Sequence, residues 1–389
     1  MGLDPVDQRP LLARYDVSRA AKTLARESMA SRTSGGLWRW RELLPVQSWE
    51  AVLSLGEGAT PLLDCPRLAR QLGIRRLTLK YEGPNPTGTV KDRSSATAVS
   101  AALQFGFAAT SVVSTGNAGS SIAAYSARAG LRAFIFAYAR ASAPKLLHMS
   151  ATATDLVLYQ GVYDDLIGLW DRLVEERLFF DCGASRNAYK QEGKKTLAWE
   201  IAEQMAWRPP DVVVAPVAVG EVFIATARGF RELADAGWIE RVPTLVAAQA
   251  ARANPIARAW RDGTALTPQK IGYTVAEGLG TGNPGAKGEW VLRLLRQHRG
   301  VAGDAEDDEI LAAQRLLAQT EGIWAGPTGS GSLAVLVRLV AERRLDPDQT
   351  IAVIVSETGL KTEAALPARE GLAFDYDSLR RLVLERLRS

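Results

Sequence analysis

The sequence predicts an α/β protein of two domains, with parallel-rich twisted sheets flanked by helices and a ligand cleft between the domains. Short β-branched runs alternate with stretches of helical apolar spacing along the chain. The length of 389 residues exceeds one ordinary domain and suits two sharing a cleft. Finally, Ser114-Thr115-Gly116-Asn117, Ala218-Val219-Gly220-Glu221 and Ser356-Glu357-Thr358-Gly359 each follow directly on a predicted strand and precede a helix or turn.

Taken in order, residues 1–40 are polar and rich in Arg and Ala, which predicts an arm with a helix around 18–30. Strands are predicted at 77–81, 110–113, 133–136, 156–159, 211–217, 244–248 and 350–355. Helical spacing appears at 163–178, 195–206, 221–236, 288–298, 308–319 and 332–344. Asp308 and Glu309 suit a helix start, and Gly322 a stop. Residues 262–285, rich in Gly, Thr and Pro, form a long connection able to close over a site. Near the end, Arg380, Arg381, Arg386 and Arg388 interleave with Leu379, Leu382, Val383 and Leu387. That pattern predicts an amphipathic helix with a solvated basic face. The expected small, mobile domain spans 92–180, and the large one combines 1–91 with 181–389.

Composition excludes several function classes. Lys+Arg 47 against Asp+Glu 43 leaves +4, too small and too scattered for a nucleic-acid footprint. No apolar run approaches the roughly 18 residues of a membrane span. Asp4 and Asp7 break any signal-peptide pattern, so a cytoplasmic protein is expected. Cys65 and Cys182 form no CxxC, which argues against a disulfide framework or a zinc ribbon. With His148 and His298 the only histidines, a Ser-His-Asp hydrolase or a His-rich metal site is improbable. Proton transfers then fall to Lys, Tyr, Asp, Glu or a cofactor.

Ligands of open α/β sheets bind beyond the carboxyl ends of strands, at helix N-termini that favour anions. The three loops therefore predict one shared cleft for a small anionic ligand. The richest segment is Gly83-Pro84-Asn85-Pro86-Thr87-Gly88-Thr89-Val90-Lys91-Asp92-Arg93. Its prolines and glycines fix a turn, and Lys91 opens a predicted helix. The positive end of a helix dipole favours a neutral, nucleophilic amine, which Schiff-base chemistry requires. Alone, the loop reads equally well as a surface turn with a solvated lysine.

Its neighbours decide the reading. Segments 55–62, 85–93 and 114–117, in this order and at these distances, resemble threonine synthase and its relatives among the fold-type II pyridoxal-phosphate enzymes. The likeness continues through 36–45, 123–130, 161–165, 192–196, 282–284 and 359–361, and covers most of 36–361. The resemblance implies a pyridoxal 5'-phosphate cofactor in the cleft, held as a Schiff base by Lys91, which also moves the α-proton. It implies that Asn117 bonds the pyridine 3′-oxygen and Ser356 faces the pyridine nitrogen. A neutral hydroxyl there steers chemistry towards elimination and replacement. Ser114, Thr115 and Gly116 would take the substrate carboxylate, and Lys80, Asn85 and Thr87 the leaving group's charge. Val219, Gly220, Glu221 and Val222 would hold the cofactor phosphate. Plainer readings stand beside these: Asn117 as a helix cap, Ser356 as a turn residue, Lys80 as the solvated face of a strand. No metal is implied. The expected associations are a small amino-acid substrate and a homodimer, with neither nucleic acid nor membrane.

The sequence also departs from that pattern. The phosphate loop keeps only Gly220; Val219 cannot readily take positive φ, and a Glu221 carboxylate facing a phosphate would repel it. We expect that carboxylate to turn towards solvent or a basic partner. Gly280 stands where the pattern tends to carry an arginine, and Gly326-Pro327-Thr328 replaces a common Glu-Pro-Ala. These changes leave open a β-eliminating or β-replacing enzyme, dehydratase-like or cysteine-synthase-like. A non-catalytic binding protein that kept the fold is the alternative of another class.

Overall fold

A computed structural model describes residues 11–32, 35–114, 116–138, 142–153, 155–160, 163–183, 186–362 and 375–388. In chain order its strands are β1 (Leu62–Asp64), β2 (Arg76–Tyr81), β3 (Ala109–Val113), β4 (Arg132–Tyr138) and β5 (Asp155–Tyr159). They continue with β6 (Phe180–Asp181), β7 (Val212–Pro216), β8 (Thr244–Ala250), β9 (Val301–Ala305) and β10 (Thr350–Val355). One sheet has the order β1-β2-β10-β7-β8-β9, parallel except for β1 against β2. The other, β5-β4-β3-β6, is parallel throughout and draws only on Ala109 to Asp181.

The central strands are apolar runs rather than alternating patterns. Every residue of β7 is buried, and so is all of β10 after Thr350. Helices cover both faces of such a sheet, so neither face can be polar. Strands β1, β6 and β9 carry no sequence signal. The first two span three and two residues, and Val301-Ala302-Gly303-Asp304-Ala305 has a single β-branched residue. Pairing with β8 makes β9 a strand.

The predicted helices form with shifted ends. Ala188–Gln204 begins ahead of 195, where Asn187 caps it by accepting from the Lys190 amide. Lys190, Lys194 and Lys195 lie buried in it, which hides the apolar period. Pro327 opens Pro327–Ala341, ahead of the predicted 332, a position where its missing N–H costs nothing. Glu306 and Glu309 form a capping box for Asp307–Glu321, which stops at Gly322 with φ +71°.

Among the described residues of the arm, where a helix was expected around 18–30, an α-helix forms at Val17–Thr23, followed by a 3-10 turn at Arg26–Ser31. Beyond it, the buried Trp40 ring packs against Trp199, Trp207 and Trp238 with centroids 5.3, 6.3 and 6.3 Å away. The closing helix Tyr376–Arg388 leaves Leu379, Val383 and Leu387 exposed.

Candidate active site

The cleft lies past the carboxyl ends of β3, β7 and β10, and backbone hydrogen bonds stitch its walls together. Val90 N donates to Ser356 O at 2.9 Å, and Thr358 N to Gly88 O at 3.0 Å. The turn after β10 is thereby tied to the lysine loop, and Lys91 opens the Lys91–Gln104 helix beside Ser356. A cavity of about 260 Å³ is lined by Lys91, Ser114, Gly116, Asn117, Val219, Gly220, Glu221, Val222 and Ser356, among others. Thr115 lies outside the described residues. No described residue forms a hydrogen bond or ion pair with the Lys91 ammonium.

The anion loop resolves its own difficulty. Gly220 has φ +106°, so the one retained glycine stands where positive φ is required and Val219 is spared it. The Glu221–Asp235 helix starts there and aims its first N–H groups, which lack intrahelical acceptors, at the cleft. The Glu221 carboxylate turns to a basic pair: Lys194 Nζ donates to Oε2 at 2.6 Å and Lys287 Nζ to Oε1 at 2.9 Å. Burial alone would raise this carboxyl; Lys194, Lys287 and Lys190 outweigh it and hold it well below the usual range. Burial pushes Lys194 down to about 7, against the attraction of Glu221.

Asn117 Nδ2 donates to the Glu357 carboxylate, and its Oδ1 is buried without a hydrogen-bond partner among the described residues. Lys145, from the Ala143–Thr152 helix, crosses the cleft to Glu277 Oε2 at 2.7 Å, and both line it. Behind the lysine loop, burial lowers Lys361 to about 8 against the pull of Asp92 and Glu357, and its Nζ is buried without a hydrogen-bond partner among the described residues. Burial also raises Asp92 to about 6, opposed by hydrogen bonds from Ser121 and Thr87.

Sequence reasoning missed Lys145 and gave no role to Glu277 or Glu357, while Lys361 was considered only as a helper for the phosphate. Glu277 lies in the 262–285 connection expected to close over a site, Glu357 in the predicted cleft loop 356–359, and Lys361 in the segment 359–361 that shares the family likeness. Lys145 stands in no pattern.

Lys80, Asn85 and Thr87 require correction, because none of them lines the cleft. Lys80 Nζ is buried and donates to Glu200 Oε2 at 2.7 Å, to Thr60 O at 2.6 Å and to Gln204 Oε1 at 2.9 Å. Arg93 joins the same network, bonding Glu82 and Glu200 at 2.7 Å each. Asn85 bonds Glu82 and accepts from Gly58 N, and Thr87 binds Asp92 through its amide and hydroxyl. Their charges and hydrogen bonds are satisfied inside the protein, where they shape the lysine loop.

The cleft thus combines an amine without a partner, a helix N-terminus beneath a positive-φ glycine, a strand-end hydroxyl and an orphaned amide oxygen. This set fits pyridoxal phosphate: a covalent attachment point, a phosphate seat and polar contacts for the ring. The chain belongs to the pyridoxal-phosphate dependent enzymes, whose family pattern it matches over residues 53–357. Within that class it goes with the threonine synthases. It is 34% identical to the threonine synthase of Methanocaldococcus jannaschii over 377 residues, 95% of this chain and 92% of that one. It is also 34% identical to that of Methanosarcina acetivorans, covering 84% and 80%. Among solved structures, maize serine racemase shares the fold at 18% identity and TM-score 0.65, over 85% of this chain and 92% of that one. An L-serine ammonia-lyase from Rhizomucor miehei does so at 22% and 0.67, over 77% and 93%.

Proposed function

We propose that Lys91 carries the cofactor and moves the α-proton in a threonine-synthase-like elimination and replacement on a small amino acid. The observation that carries this reading is the unpaired Lys91 amine facing Asn117, Ser356 and the start of the Glu221–Asp235 helix across one cavity. When bound, pyridoxal phosphate supplies an electron sink for a carbanion at the α-carbon. The amides of residues 219–222 hold the phosphate, while Glu221 keeps its charge turned to Lys194 and Lys287. Ser114 and Gly116, with Thr115, take the substrate carboxylate, and Ser356 meets the ring nitrogen with a neutral hydroxyl. Lys145 and Glu277 span the cleft mouth and help exclude water.

The leaving group departs from the β or γ carbon. A second reading, β-elimination from a serine- or threonine-like substrate, is favoured by Gly280, which leaves no cation two residues before Gly282. Assays with O-phosphohomoserine and with serine, scoring phosphate and oxo-acid release, separate the two. The enzyme acts as a cytoplasmic homodimer without nucleic-acid or membrane partners. No helix among the described residues is long and apolar enough to cross a membrane. Borohydride reduction of the holoenzyme followed by peptide mapping should place the cofactor on Lys91. Its recovery on Lys361 or Lys145 would overturn the assignment.

A further inference from the structure

Asn117 and Glu357 join two walls of the cleft, one opening the Asn117–Ala129 helix, the other following β10. Glu357 is wholly buried; its Oε2 accepts from Asn117 Nδ2 and its Oε1 from Thr328 N at 3.2 Å. Space is reserved for it. A Cβ at position 326 would fall 2.5 Å from Glu357 Oε1 and 2.8 Å from its Cδ, so Gly326 leaves the carboxylate its seat. A carboxylate offers only acceptors, so the Asn117 amide must present its nitrogen to Glu357. The amide oxygen is the end left over, and it is buried with no donor among the described residues. A buried acceptor of this kind asks for one.

We propose that Glu357 is a positioning residue that orients the Asn117 amide oxygen-first towards the ligand, favouring a ligand hydroxyl in its protonated form. The proposal rests on reading the cleft as the cofactor site with Lys91 as attachment point, where the hydroxyl is the one on the cofactor ring. The charged groups around the pair are Lys361 on the same turn, Asp92 from the Lys91–Gln104 helix and Lys145 from the Ala143–Thr152 helix. Asp92, Glu357 and Lys145 all act on Lys361. A glutamine at 357 can donate as well as accept, which frees the Asn117 amide to turn its nitrogen to the ring oxygen and favour the deprotonated form.

The test is a pH titration of the holoenzyme's absorption bands, with borohydride mapping in parallel. Glu357→Gln should lower the midpoint of band interconversion by about one pH unit, a tenfold change in proton affinity, with the cofactor still on Lys91. In an Asn117→Ala background the same change should cause no further shift. The double variant Glu357→Ala/Gly326→Glu, which returns a carboxylate from the other side of the seat, should restore the wild-type midpoint. An unmoved midpoint in E357Q with Lys91 still loaded overturns the proposal. So does failure of both E357Q and the double variant to fold, which would make the Glu357 side chain itself a need of the scaffold. Absence of cofactor from Lys91 in the wild type would instead sink the reading of the cleft itself.

Discussion

Lys194 Nζ lies 2.6 Å from Glu221 Oε2, inside the protein and directly behind the loop that the cofactor phosphate is proposed to occupy. The residue that looked most hostile to a phosphate is therefore the counter-ion of a buried lysine, with Lys287 on its other oxygen.

Glu221→Gly should accordingly act on stability before it acts on the cofactor. It removes the carboxylate from the buried Lys194 ammonium, and breaking a buried pair from one side costs about 3–5 kcal/mol. Urea unfolding should show that loss, while equilibrium titration shows cofactor affinity little changed. A marked tightening of affinity in that variant would mean the carboxylate faces the phosphate in the working protein.

Much of this was legible in advance. Seven strands, six helices and the loops carrying Lys91, Asn117, Gly220 and Ser356 follow from period, turn residues and order along the chain. What the pattern hides is pairing. Lys80 alternates in β2 as a solvated residue would, and only the approach of the Ala188–Gln204 helix brings Glu200 to it. Gly326 reads as a lost side chain, and its reason, the Glu357 carboxylate, arrives from the turn after β10. Contacts between distant segments leave no local period to read.

The Lys80 network gives a second test. Burial alone would raise the Glu200 carboxyl; Arg93 and Lys80 together hold it far below the usual range. Glu200→Gln should lose roughly 3–5 kcal/mol of stability, because two buried cations then share fewer acceptors. Lys80→Met should also destabilise the protein but leave KM for the amino-acid substrate unaltered. A raised KM at full stability would return Lys80 to the substrate site.

The Lys145–Glu277 bridge makes a contrasting prediction, since Glu277 is 43% exposed while Lys145 is 3% exposed. Half-wet pairs contribute on the order of 1 kcal/mol or less, so Glu277→Gln should scarcely move the unfolding midpoint. It should instead open the cleft, read as faster amide hydrogen exchange in the Ala143–Thr152 helix. Unchanged exchange there would remove the bridge from any role in closure.

Lys361 provides a pH dependence with a definite sign. Burial depresses its ammonium from 10.5 to about 8 in the folded protein, with Asp92 and Glu357 only partly compensating. Between those two values the unfolded chain binds more protons than the folded one, so stability rises with pH across that window. The contribution is fully present above about 10.5 and is lost as pH falls through about 8. Lys361→Met removes the buried, unpartnered ammonium. Its unfolding midpoint should therefore exceed that of the wild type at pH 7.5, with the advantage shrinking towards pH 10. Asp92, raised to about 6, is ionised at both ends of this comparison and cancels. Parallel stability curves for the two proteins between pH 7.5 and 10 would show that Lys361 titrates normally and that the pocket behind the lysine loop is open to water.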